Sequence, residues 1–307
     1  MSGLAAHVDA YLRLRRGLGF TLAYDGVLLL LQFVEYLQAQ GANSVTTELS
    51  IAWAQLPQGV APISWSHRLG AVRGFARYMT TIDASTEVPP SGVFGGQAPR
   101  PTPYLWSERD ISRLLRAATE LQSPFRAATY ESFLGLLAVS GLRSGEAIGL
   151  QAGDVDLDAG VITVTQAKFG RARLIPLHSS TTTKLASYAC RRDGLHPRPR
   201  STTFFVSQVG TSLNSSTVNH TFRQLVTSLA LGGGDVRPRM HDLRHSFAVR
   251  TLINWHRAGH DVQARIPALV SYLGHVNPAS TYWYLSASPE LMELAAGRLD
   301  ERFGGRP

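Results

Sequence analysis

The chain has 307 residues, 44% of them apolar, which is more than one ordinary core requires and implies two globular domains. A formal charge of +8 points to a polyanionic partner, and a single cysteine, Cys190, excludes an internal disulfide and suits a reducing compartment. No apolar run reaches the ~18 residues of a membrane span and no secretory-signal core opens the chain, so a cytoplasmic protein without a membrane partner is expected.

Residues 1–82 show apolar side chains at helical intervals over Leu4–Leu18, Leu22–Ala39, Thr46–Gln55 and Ile63–Met79, with Gly, Asn or Pro at the breaks. The spacing predicts a four-helix domain. Arg68, Arg73 and Arg77 lie on its last helix beside His67, either lining a phosphate-facing surface or forming a solvated face. Residues 83–105 contain VPPSGVFGGQAPRPTP, five prolines and three glycines without apolar period, and read as an extended interdomain linker.

The second domain, 106–307, opens with Ser107 as a helix N-cap before Glu108 and Asp110. An apolar stripe over Ile111–Leu121 is followed by a strongly apolar helix, Phe125–Val139, which Gly141 is suited to stop. Ser144–Leu150 starts another helix, fixing Arg143 at the junction, with Glu146 three residues on to orient its guanidinium. Val155–Leu157, Val161–Thr165 and Arg173–Leu177 are short β-branched runs, predicting a small antiparallel three-stranded sheet with Lys168 in the second turn. Arg171 and Arg173 flank that turn as further candidate DNA contacts. Helices are predicted at Ser179–Arg192, Thr217–Leu231, His241 to about His260, and Val262–Leu273.

Charge is unevenly divided. Up to residue 105 there are seven Arg against six acids, and beyond it 23 basic residues against 16 acids, so the excess lies in the second domain. Only two lysines, Lys168 and Lys184, occur in the chain.

HDLRHSFAVR, from His241 to Arg250, places His241 and Arg244 three residues apart and therefore on one side of a helix. A base and a fixed cation then share a small volume, with His245 one turn on as support. GHVNPASTYWYL follows the last helix, with His275 at a helix end and Tyr282 and Tyr284 beyond it. Two residues on a helix are about 200° apart, so only one of these tyrosines can face a given pocket. No cluster with metal-ligand spacing and no Walker-type glycine loop is present, so no metal or nucleotide cofactor is expected.

Taken together, SGLRSGE, a lysine in a strand turn, HDLRHSFA, LGH and a tyrosine nine residues beyond its histidine resemble the tyrosine recombinase (phage integrase) family. The resemblance covers 106 to about 290 by motif, while 1–82 is similar to the family's core-binding domain by arrangement only. It implies a mainly α fold with a small antiparallel β-sheet (α+β). Carried over, Arg143 and Arg244 would clamp a phosphate, Lys168 would be the hairpin lysine, His241 and His275 the two histidines, and Tyr284 the nucleophile, with Tyr282 its competitor. STYWYL is similar to recombinases of mobile elements.

The implied activity is cleavage and rejoining of double-stranded DNA recombination sites through a 3′-phosphotyrosyl link and a Holliday junction, by a tetramer on DNA. A tail helix over 289–303 either docks on a neighbouring protomer or packs on its own domain. A type IB topoisomerase would share the chemistry, and a non-cutting DNA-binding regulator would share the charge.

Overall fold

The structure is a computed structural model that describes residues 3–20, 22, 24–95, 102–165, 172–232, 236–274 and 290–293. Lys168, Arg171, His275, Tyr282, Tyr284 and nearly all of the expected tail helix lie outside the described residues. The chain divides into two compact units, Met1–Arg100 and Pro101–Pro307.

The first unit is a four-helix domain: α1 (Gly3–Gly17), α2 (Tyr24–Ala39), α3 (Thr47–Ala54) and α4 (Pro62–Met79). The expected periodicity holds because its apolar faces meet: Val8, Leu30, Phe33, Leu37, Trp53, Val72 and Phe75 form one core. Thr46 caps α3 by accepting from the Leu49 N–H, and Pro62 opens α4, where a missing N–H costs nothing.

The expectation of an extended linker is corrected for its first half. Residues up to 95 fold back on the helical unit: the Glu87 N–H donates to the Val45 carbonyl at 2.7 Å, and the Thr47 N–H donates to the Glu87 carboxylate at 2.8 Å. Arg73 donates to the Pro89 carbonyl at 2.9 Å and the Pro90 carbonyl at 2.7 Å, and Phe94 packs edge-on to Trp65. A proline-rich segment lacks donors but keeps every carbonyl, and an arginine from α4 supplies the missing half.

The second unit contains α5 (Glu108–Thr119), α6 (Pro124–Ser140), α7 (Ser144–Gly149), strands β1 (Val155–Asp156), β2 (Val161–Thr165) and β3 (Ala172–Pro176), then α8 (Ser179–Leu195), α9 (Ser215–Ser228), α10 (His241–Arg257) and α11 (Val262–Leu273). Ser107 caps α5 through the Asp110 N–H, as expected. The sheet is antiparallel in the order β1-β2-β3, and Ile162 opposite Ile175 turns two fully buried side chains to the core.

Two apolar clusters divide this unit. The larger joins α5, α6, the sheet, α8, the 204–206 segment and α9, and reaches Leu243 at the start of α10. The smaller joins Ala248, Val249 and Leu252 of α10 with Ile266, Leu269 and Leu273 of α11 and with Leu291. Helix α10 therefore crosses from one core to the other, and half-buried Tyr272 packs on both. Residues 290–293 are helical; Leu291 is buried in this cluster and Glu290 pairs with Arg257 at 2.6 Å, so the first turn of the expected tail packs on its own domain. Among the described residues, no helix is long and apolar enough to cross a membrane.

Candidate active site

The site lies where α10 crosses between the two cores. Helices α6 and α11 both end in glycine in the left-handed conformation, Gly141 (φ 62°) and Gly274 (φ 65°). A side chain is excluded at Gly141 on a second ground, since a Cβ there would lie 2.5 Å from the Phe247 ring. Each helix end leaves carbonyls without intrahelical partners and carries partial negative charge. Arginines fill both ends.

Arg244, 1% exposed, donates from Nη1 to the Gly141 carbonyl at 2.7 Å and from Nη2 to the Leu273 carbonyl at 2.5 Å. Arg250, two turns along α10, reaches the Ala138 carbonyl of α6 at 3.1 Å. Arg143 donates from Nη2 to the Gly274 carbonyl at 2.8 Å. Two arginines separated by a hundred residues thus bond consecutive carbonyls, those immediately before His275. The expected convergence of Arg143 and Arg244 is present, with a difference: both forks hold backbone oxygens that sequence reasoning did not identify.

Arg143 is the N-cap of α7 and is fixed by its own first turn. Its backbone N–H donates to Glu146 Oε2 at 2.9 Å, and its Nη1 donates to Glu146 Oε1 at 2.7 Å. Glu146 does orient the guanidinium, and it also binds a second one: Arg173 donates from Nη2 to Oε2 at 2.7 Å. Burial pushes the Glu146 carboxyl up, but the Arg173 hydrogen bond, the Arg143 N–H, the Arg173 charge and the Arg143 side-chain bond together hold it below the ordinary glutamate range.

Arg173 corrects an expectation. A DNA contact next to the strand turn requires an open side chain, yet that of Arg173 is only 10% exposed. Alternation along β3 puts residue 173 on the same face as buried Ile175, with Val164 opposite, so the side chain enters the protein behind the site.

His241 opens α10 and keeps one side to solvent. Its imidazole is held below the usual histidine range, first by burial of its other side, then by the Arg244 charge, with Asp242 opposing and Arg143 and Arg239 adding to the depression. A histidine so placed is neutral at pH 7 and can accept a proton. Asp242 is fully buried and pairs with Arg239 at 2.8 Å, and it also accepts the Arg239 N–H at 2.7 Å, fixing the first turn. The His245 ring meets the His241 ring edge-on, centroids 4.6 Å apart. Ser246 closes the other side of α10: it donates to the Asp242 carbonyl and accepts the Trp106 N–H at 2.7 Å.

Tyr272 is a third tyrosine near the site that the sequence reading passed over. Burial pushes its phenol up to about 12, against the opposing charges of Arg173 and Arg244, and its ring stacks on Phe247 at 5.6 Å. It is a packing phenol, protonated at neutral pH.

In the helical unit, Arg68 lies over the Trp53 ring at 3.8 Å and donates to the Trp53 carbonyl at 3.1 Å, while Arg73 holds the returning segment. Both therefore hold their own unit together, in contrast to the open phosphate-facing row considered for them; Arg77 and His67 are exposed. Among the described residues, no group of three or more His, Cys, Asp or Glu side chains is placed to hold a metal ion.

The arrangement is a pair of arginines anchored on helix-end carbonyls, with a histidine whose ring meets that of a second histidine. Residues 106–290 match the model of the phage integrase family. The chain belongs to that family. It is similar over its whole length to the integrase/recombinase y4rB of Sinorhizobium fredii, with 43% identity covering all of both chains. The tyrosine recombinase XerD of Pseudomonas aeruginosa is 31% identical over 263 residues, covering 85% of this chain and 82% of that one. In fold, it is similar to the Tn1549 transposon integrase solved with transposon right end DNA (TM-score 0.64, 17% identity, 97% of this chain and 99% of that one). A second likeness is to XerH solved in a post-cleavage complex with its difH substrate (TM-score 0.65, 18% identity, 88% and 77%). The phage integrase relationship makes this chain a tyrosine-type site-specific DNA recombinase, mainly helical with a three-stranded antiparallel sheet, as the sequence implied.

Proposed function

We propose that this recombinase cleaves one strand of a duplex recombination site with Tyr284, holds a 3′-phosphotyrosyl link, and rejoins strands through a Holliday junction during integration, excision or transposition of a mobile element. The observation that carries the reading is the meeting of Arg143 and Arg244 on the Leu273 and Gly274 carbonyls, directly before His275. The whole-length similarity to an integrase/recombinase supports the role on an element.

The chemistry follows from charge. Attack of a phenol oxygen on a phosphodiester builds negative charge on two nonbridging oxygens, and two guanidinium forks match them. Only about one free tyrosine in a thousand is ionised at pH 7, a handicap of roughly 4 kcal/mol. His241, neutral for the reasons above, takes the phenol proton; the Tyr284 oxygen bonds phosphorus as the 5′ oxygen leaves, and Lys168 supplies that oxygen's proton. His275 donates a hydrogen bond to the phosphate. Attack by a 5′-hydroxyl of another strand reverses the step. Residues 1–82 bind the duplex together with the catalytic domain, and four protomers assemble on two sites.

Trapping on a nicked suicide substrate tests the reading. Wild type and Tyr282→Phe are expected to form a covalent adduct, and Tyr284→Phe to bind DNA without forming one. Adduct surviving in Tyr284→Phe and vanishing in Tyr282→Phe would move the nucleophile, and a wild type that forms none would overturn the cleavage reading.

A further inference from the structure

We infer that Arg173 is a positioning residue for this chemistry: by sharing the Glu146 carboxylate with Arg143, it keeps the Arg143 charge available to the scissile phosphate. The inference rests on the cleavage reading above.

The geometry is a three-member chain. Glu146 Oε1 holds Arg143 Nη1 at 2.7 Å, and Glu146 Oε2 holds both the Arg143 N–H at 2.9 Å and Arg173 Nη2 at 2.7 Å. A carboxylate paired with Arg143 alone would cancel its charge, leaving a neutral dipole facing the phosphate. Placed between two guanidiniums, the same carboxylate still orients Arg143, but the group keeps one net positive charge. Orientation and charge are then compatible.

Two further observations favour this role over a purely structural one. Nine-tenths of the Arg173 side chain is buried, yet its Nε and Nη1 are buried without a hydrogen-bond partner among the described residues. A buried cation with most of its donors idle is a poor stabiliser, and an apolar side chain on that face of β3 would pack at least as well. The position is also tied to the reacting groups on both sides. Arg173 is the second residue of the strand that follows the segment holding Lys168, and its charge reaches Tyr272, three residues before His275.

The test uses the full chain, and reads single-turnover cleavage of the nicked suicide substrate at saturating enzyme together with duplex affinity. Arg173→Met is expected to slow cleavage about 100-fold, the size of losing one transition-state electrostatic contact. Its DNA affinity should stay within about threefold, because no phosphate contact is removed. Arg173→Lys, which keeps the charge and a single donor to Glu146, should recover to within about tenfold of wild type. The deciding variant is Glu146→Gln with Arg173→Met. A glutamine still accepts the Arg143 N–H as a helix cap but no longer cancels its charge, so the double variant should cleave faster than Arg173→Met alone.

Arg173→Met cleaving at the wild-type rate would overturn the inference. So would weakened DNA affinity with an unchanged saturated rate, which marks a DNA contact, or a double variant no faster than the single, which marks structural support. Thermal melts accompany each variant, and Arg173→Gln replaces Arg173→Met if the latter is unfolded at the assay temperature. Absence of wild-type adduct sinks the cleavage reading and this inference with it, whereas wild-type cleavage alongside an unaffected Arg173→Met sinks this inference alone.

Discussion

Both units of the recombinase tie arginines to backbone carbonyls, but the two sets stand in different company. Arg68 and Arg73 bind the Trp53, Pro89 and Pro90 carbonyls beside an indole and a proline-rich strap. Arg143 and Arg244 bind the ends of two helices beside His241 and Glu146, and Arg244 with Arg143 depresses the His241 imidazole. A carbonyl partner therefore does not separate a scaffold arginine from one proposed to clamp a phosphate. What separates them is the density of helix termini and titratable groups around the guanidinium, which sets how much each charge alters its neighbours.

Substitutions of matched kind in the two units put this contrast at risk. Arg244→Met should have the largest effect: two buried carbonyls lose their donor, costing about 3 kcal/mol in urea unfolding, and suicide-substrate cleavage should fall at least about 1000-fold. An equal loss of cleavage from Arg68→Met would erase the contrast between the two units.

The next effect is on pH dependence. His241 is held below the usual histidine range, so its base form persists below the free-histidine value of about 6.5. Cleavage rate should be flat from pH 8 to about 6.5 and decline only at lower pH, and His241→Gln should lack that decline. Because the unfolded chain takes up this proton first, the His241 contribution to stability is whole above about 6.5 and is lost as pH falls through the folded-state value. A rate that already drops between pH 8 and 7 would assign the titration to another group.

The smallest changes belong to the helical unit. Arg73→Gln should cost about 1 kcal/mol and speed proteolysis within 83–95, with duplex affinity unchanged. Arg77→Ala, at an exposed position, should leave stability alone and reduce the slope of log affinity against log salt by about 0.9, one phosphate contact.

Much of this was legible in the residues, for identifiable reasons. The helices declared themselves by apolar period, Ser107 and Gly141 by cap chemistry, and the family by motifs whose order survives folding. The linker misled because proline and glycine content reports missing donors and says nothing of carbonyls that a distant arginine can reach. Arg173 misled because nearness to a hairpin turn suggested exposure, while the strand's own alternation, counted from Ile175, points it inward. Gly141 and Gly274 were readable as stops, but their role as seats for Arg244 and Arg143 depends on contacts more than a hundred residues apart, which no local pattern encodes.

That α10 crosses from the larger core into the smaller one bears on how damage would present. The carbonyls seating both arginines lie at the end of α11, whose packing comes from the lesser cluster around Ile266, Leu269 and Leu291. Such a cluster can open while the larger one stays closed. A cavity cut there, as by Leu269→Ala, would therefore surface as an enzyme that melts at nearly its normal temperature and yet has lost the alignment of its reacting groups.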